Sequence, residues 1–262
     1  MLVRQMLAGV AEAVDLDAGD LNDISTAVTE ACNNVVLHAY AGAEGPLEVE
    51  VYALPGTVEV VVRDHGSGIP AAIGAARETA GIGLSVIQAL TQRSDFRDAH
   101  DSGTEVLMAF GTPRAQALAA LAEEELEPPA TAGPDPADAI EITIAPAPLA
   151  WTILPRLLSA LAARAHFRTD RIADIQLVAD ALTAQVPASM RGSHLSIGIS
   201  VEPREVELRI APLLAGHAQQ LIIESAAGDL GPLIGKLTTS QRVATLGSSD
   251  DEMLALRLHD HR

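Results

Sequence analysis

Glu30 and Asn34 stand four residues apart in the segment Thr26-Ala27-Val28-Thr29-Glu30-Ala31-Cys32-Asn33-Asn34-Val35-Val36-Leu37-His38-Ala39-Tyr40. On a helix turning about 100° per residue, Ile24, Ala27, Val28, Ala31 and Val35 form one apolar face. Glu30, Asn34 and His38 then line a stripe beside it. A carboxylate and a carboxamide one turn apart reach the same ligand. Hard oxygen donors suit Mg²⁺, which takes one or two from protein and the rest from phosphates and water. A solvated polar stripe has the same spacing, so the pair needs other residues to give it meaning.

Three further groups supply them. Asp64 ends the β-branched run Val58 to Val62 and opens Asp64-His65-Gly66-Ser67-Gly68. A carboxylate at a strand's mouth can accept a hydrogen bond from an exocyclic amine such as that of adenine, and the alternate glycines let backbone approach a ligand closely. Gly81-Ile82-Gly83 precedes an apolar helical stretch. Amides and dipole at a helix start attract phosphate. No Gly-Lys-Ser/Thr follows, so this is not a P-loop, and the neighbouring hairpin does not fit a dinucleotide βαβ unit. Last, Ser102-Gly103-Thr104 leads into a strand, where the threonine hydroxyl can reach the base that Asp64 would hold. Each group alone also fits an ordinary turn or helix start.

The elements that position these residues can be read from periodicity. Val3–Val14 predicts an amphipathic helix. A second runs over Ile24–Leu37 with Asp20 or Asp23 as its cap. Leu47–Leu54 and Thr57–Val62 predict strands joined at Pro55-Gly56, Leu84–Gln92 a third helix, and Thr104–Phe110 a last strand. Arg114 to Leu126 reads as an Ala/Leu/Glu helix, and Glu127 to Pro136 as a proline-rich linker. These mark a first domain at 1–112, a connector at 113–138 and a second domain at 139–262.

The second domain repeats the first. An offset of 148 carries Leu47 to Leu195, Pro55 to Pro203, Val58 to Val206 and Val106 to Leu254. Upstream the offset drifts to 150 or 151, bringing Ile24 to Ile175 and Val28 to Val178. The chemistry does not repeat. Asp64 falls on Pro212, Gly66 on Leu214 and Asn34 near Ala184, and only Asp180 keeps a carboxylate near the place of Glu30. Glu141 to Ile144 adds a strand with no equivalent in the first copy, which either lacks its edge strand or begins downstream of its natural start.

The formal net charge of -18 repels phosphate backbones and anionic bilayers. The expectation is therefore no general nucleic-acid binding and no membrane association. One cysteine, Cys32, excludes an internal disulfide. With no long apolar run and no signal-like N-terminus, a cytoplasmic location is expected.

Taken in order, Glu-x-x-x-Asn, Asp-x-Gly-x-Gly, Gly-x-Gly-Leu and Gly-Thr resemble the Bergerat-fold (GHKL, histidine kinase-like) ATPases. The Thr26 to Tyr40 segment is similar to that of the anti-sigma-factor serine/threonine kinases. The resemblance covers about residues 2–110. It implies an α+β fold, a two-layer α/β sandwich whose mixed, mostly antiparallel sheet is covered by helices on one face, present here twice in tandem. It implies ATP and Mg²⁺ as cofactors. Glu30 would be the general base, Asn34 the Mg²⁺ ligand, Asp64 the adenine anchor with Gly66 and Gly68 shaping its pocket. Gly81 and Gly83 would admit the phosphates and Thr104 support the adenine end. The implied function is an anti-sigma regulatory factor that transfers the γ-phosphate to a serine of an anti-anti-sigma (STAS-type) partner and also binds a sigma factor. The alternative is a catalytically weak, nucleotide-sensing, partner-switching module. The two copies would pair within the chain or through a homodimer, and the second would bind no nucleotide.

Overall fold

Helix α1 (Leu2–Ala13) buries Leu2, Met6, Leu7 and Val10, a spacing that keeps one face inward. Helix α2 (Ala18–Asn34) begins earlier than expected. Its cap is Asp17, whose Oδ1 accepts the amides of Gly19 at 2.8 Å and Asp20 at 2.9 Å. Glycine in the first turn hides this start from a periodicity reading. The helix ends in a π turn, Val35–Ala39, rather than running on regularly to Leu37. These descriptions come from a computed structural model that describes residues 2–40, 43, 45–54, 56–66, 82–98, 103–112, 140–145, 147–190, 192–224, 232–247 and 250–260. The connector expected at 113–138 lies outside the described residues.

Strands β1 (Leu47–Leu54) and β2 (Thr57–Asp64) pair antiparallel across Gly56. Helix α3 (Ile82–Leu90) and strands β3 (Arg93–Asp98) and β4 (Thr104–Gly111) follow. Val49, Val51, Val58, Val60, Val62, Val106, Met108 and Phe110 join Met6, Val10, Ile24, Val28 and Ile87 in one core. The alternate positions Glu48, Glu50, Glu59, Arg63 and Glu105 are polar, so the helices cover a single face of the sheet. On the other face Arg63 binds Glu48, Glu50 and Glu105 together.

The remaining elements are β5 (Ile140–Ala145), α4 (Ala150–Arg164), α5 (Thr169–Ser189), β6 (Leu195–Glu202), β7 (Glu205–Leu213), α6 (His217–Glu224), α7 (Leu233–Leu237), β8 (Ser240–Thr245) and β9 (Glu252–His259). All nine strands form one sheet in the order β3-β4-β2-β1-β5-β6-β7-β9-β8. The order β1-β2-β4-β3 thus recurs as β6-β7-β9-β8. The ladder recurs as well: Val49 faces Val62 and Val58 faces Phe110, and 148 residues later Ile197 faces Ile210 and Val206 faces Leu258. The sheet is α/β in setting and mixed, mostly antiparallel, in direction.

Strand β5 joins the two sets. It pairs antiparallel with β6 and parallel with β1, aligning Ile142 with Val49 and Ile144 with Val51. It lies where β1 would otherwise present an open edge. Ile142 and Ile144 are fully buried there, and each contributes roughly 1.5–3 kcal/mol of apolar burial. Beside this seam α1 packs on α4. A Cβ at Gly9 would stand 2.9 Å from Ile153 Cγ1 and from the Thr152 carbonyl. The Thr152 hydroxyl donates to the Gly9 carbonyl at 2.8 Å, and Arg156 pairs with Glu12.

Candidate functional site

Asp64 is the last residue of β2, on the helix-covered face, and only 2% exposed. A buried carboxylate needs partners. One oxygen accepts the amide of Gly66 at 2.8 Å. The register that sets Arg63 opposite Glu105 brings Thr104 alongside Asp64. Between them the chain bends at Gly103, where φ is +94° and a Cβ would stand 2.0 Å from the Asp64 carbonyl oxygen. Only glycine fits this place. Gly66 lies against the π turn, since its Cβ would meet the Ala39 carbonyl oxygen at 2.1 Å.

The other end of the site is made by α2 and α3. Glu30 is partly exposed, and one carboxylate oxygen lies where a Cβ on Gly83 would come to 2.1 Å. The carboxylate thus rests against the first turn of α3, beside its free amides. Asn34 is partly exposed one turn on, at the join of α2 and the π turn. A π turn within a helix often marks a functional position. Gly68 and Gly81 lie outside the described residues. The structure therefore brings together Glu30 with Gly83, and Asp64 with Gly66 and Thr104, while α2 and its π turn reach both groups.

At one end stands the buried Asp64 carboxylate, with Gly66 packed on the π turn, and at the other the start of α3, with Gly83 packed on the Glu30 carboxylate. Among the described residues no three His, Cys, Asp or Glu side chains are grouped to hold a metal ion. A Mg²⁺ ion here would take Asn34 as its protein ligand and draw its other oxygens from phosphates and water.

Two residues were missed in the sequence. The Tyr40 hydroxyl accepts the amide of His65 at 2.9 Å and donates to the Pro46 carbonyl at 2.5 Å. Glu48 accepts a hydrogen bond from, or pairs with, the His65 ring at 2.5 Å. The only available signal for Tyr40 was its rarity, since the chain has two tyrosines. Cys32 is buried, and burial pushes its thiol up to about 12, so it stays protonated and takes no part.

Known proteins bear on these residues. A family model for the histidine kinase-like ATPase domain matches residues 1–110. A serine-protein kinase RsbW of Bacillus thuringiensis is 30% identical over 128 residues, 44% of this chain and 79% of the relative. The chain belongs to the histidine kinase-like ATPase family. An anti-sigma F factor of Caldanaerobacter subterraneus subsp. tengcongensis is 29% identical over 114 residues, 40% of this chain and 80% of the relative. A serine-protein kinase RsbW of Bacillus mycoides is 29% identical over 128 residues, 44% of this chain and 79% of the relative. All of the motif residues lie within the matched 1–110.

The corresponding places in residues 140–260 are built otherwise. On α5 the buried apolar residues include Ile175, Val178, Ala179, Leu182 and Val186, in the pattern of Ile24, Ala27, Val28, Ala31 and Val35. A uniform offset of 151 relates them. This corrects the expected correspondence. Ala181 stands at the place of Glu30 and Gln185 at that of Asn34, whereas Asp180 is exposed and out of phase. Gln185 donates to the carbonyl of Glu224, at the end of α6, at 2.8 Å. Glu252, at the place of Thr104, accepts the amide of Ala218, at the start of α6, at 3.0 Å. Ala218 and Leu221 are buried in the core. Among the described residues no helix is long and apolar enough to cross a membrane.

Proposed function

We propose that residues 1–112 form an ATP-binding anti-sigma serine kinase domain and that residues 139–262 form a second, degenerate copy of it, with 113–138 connecting them. The observation that carries the reading is the joint placement of Asp64, Gly66, Gly103 and Thr104 at one end of α2 and of Glu30 and Gly83 along it. The family relationship and the similarity to an anti-sigma F factor and to serine-protein kinases support the same activity. The recurring ladder register supports a tandem origin.

Each residue has a defined task. Asp64 accepts the adenine amine, with Gly66 and Gly68 shaping the pocket and Thr104 supporting the base. Gly81 and Gly83 leave the α3 amides free for phosphate oxygens. Asn34 would hold Mg²⁺, whose charge would offset that of the phosphate oxygens, and ATP would supply the γ-phosphoryl group with ADP as the leaving group. Glu30 receives the proton of the attacking serine hydroxyl, a contribution of about 10²- to 10⁴-fold. The serine belongs to an anti-anti-sigma protein of the STAS type, and a sigma factor is the other partner. The second copy binds no nucleotide and pairs with the first within the chain, along β5 and the α1–α4 contact.

The Asp64→Asn variant tests the pocket. A hydrogen bond to a charged acceptor is worth about 1.5–3 kcal/mol. MgATP affinity in calorimetry should fall by about ten- to a hundredfold, and unchanged affinity would refute the adenine assignment.

A further inference from the structure

Two contacts join the end of the α2 segment to the loop that leaves β2, and two more join it to the residues just before β1. The Tyr40 hydroxyl accepts the His65 amide at 2.9 Å and donates to the Pro46 carbonyl at 2.5 Å. The Tyr40 ring lies against Gly45, where a Cβ would come to 2.3 Å of ring carbon Cε1. Gly66 lies against the Ala39 carbonyl, and its amide in turn holds the Asp64 carboxylate. Residues one and two beyond Asp64 are thus fastened to residues five and six beyond Asn34. The π turn between Asn34 and Tyr40 takes more residues per turn than an α-helix, and the chain leaves it with the phenol beside β2.

We infer that Tyr40 is a positioning residue that fixes Asp64 relative to the helix bearing Glu30 and Asn34, and so sets the distance between the base end and the phosphate end of the nucleotide site. The inference rests on the reading of Asp64 as the base anchor. Burial holds the phenol above its ordinary value, reinforced by the charges of Asp64 and Glu48 and opposed by the His65 amide. The hydroxyl therefore keeps the proton it donates to Pro46. One hydroxyl satisfies a donor and an acceptor that would otherwise be left without these bonds. Because it touches backbone only, it can be removed without altering any side chain assigned to the ligand.

The Tyr40→Phe variant of the full chain removes the hydroxyl and keeps the ring. Four quantities are compared with the parent: MgATP affinity, the preference for ATP over GTP, inhibition of ATP binding by inorganic triphosphate, and exchange of the His65 amide. MgATP affinity should fall about tenfold, as expected for lost hydrogen bonds. The preference for ATP over GTP should narrow, triphosphate should compete as before, and the His65 amide should exchange faster while Val60 in mid-β2 does not change. Gly45→Ala, which pushes on the same ring, should reproduce the pattern. Equal weakening of ATP and triphosphate, or no change in either, would overturn a positioning role. If the parent chain binds no MgATP, the nucleotide reading fails by itself. Unchanged His65 exchange in Tyr40→Phe overturns the clamp whether or not nucleotide binds.

Discussion

Residues 2–112 and 140–260 share a strand order and a ladder register but use the end of the second helix differently. In the first set, Asn34 stands at the join of α2 with the π turn and Thr104 lies alongside the buried Asp64. In the second, Gln185 and Glu252 at the same places grip the two ends of α6, whose Ala218 and Leu221 fill the core. Where Asp64 lies alongside Thr104, the buried Leu213 stands opposite Glu252, because β7 shifts register between Ile210 and Leu213 and moves Pro212 out of the place expected for it. The apolar pattern that builds the sheet is thus kept in both, while the side chains at the strand ends differ.

The largest expected effect separates chemistry from framework. Glu30→Gln should slow phosphoryl transfer to a serine of an anti-anti-sigma protein by at least about a hundredfold, with MgATP affinity retained. Ala181→Glu, which restores a carboxylate at the corresponding place, should add no activity. Transfer at the parent rate in Glu30→Gln would remove the catalytic distinction between the halves.

Leu221→Ala tests the other side of the comparison. Truncating a fully buried leucine costs about 2–5 kcal/mol, so the chain should melt at a markedly lower temperature while MgATP affinity stays as it was. A changed affinity would mean that α6 is coupled to the nucleotide site. At the seam, Gly9→Val would press a side chain onto Ile153 and the Thr152 carbonyl. Overpacking of this kind costs about 1–3 kcal/mol, to be read from denaturant unfolding. Unaltered stability would mean that α1 and α4 are not in contact.

The smallest effect concerns Glu141 on β5, which lies beside Glu48 of β1 in the parallel register. Burial, then the Glu48 charge, hold its carboxyl above the usual carboxylate range, while Arg209 and His65 oppose this less strongly. A raised value means that the folded chain binds this proton more tightly than the unfolded chain does. Stability from this group therefore falls as pH rises from the ordinary carboxylate value through the raised one. Glu141→Gln should flatten that slope and leave the chain slightly more stable at neutral pH, measured by melting across a pH series. A steeper loss of stability in the variant would contradict the sign.

Much of this contrast could be read from residue types. β-branched alternation marks β1 and β2, and the spacing of Glu30, Asn34, Asp64 and the glycines marks the candidate site. Other features depend on partners far along the chain. β3 is a charged edge strand, Arg93 to Asp98, with little apolar alternation to reveal it. No local pattern tells that β5 pairs with β1 as well as with β6. The phase of α5 emerges only from which residues are buried, and that shifts the place of Glu30 from Asp180 to Ala181. Tyr40 acts through the backbone of His65, 25 residues away, and backbone partners leave no mark on side-chain spacing.

The most direct measurement is the number of MgATP molecules bound per full-length chain, by calorimetry or equilibrium dialysis, with the Asp64→Asn variant alongside. One site per chain, strongly weakened in Asp64→Asn, is the predicted result. Two sites, or one site untouched by Asp64→Asn, would contradict the division of roles between the halves, and no site in the folded chain would refute nucleotide binding altogether.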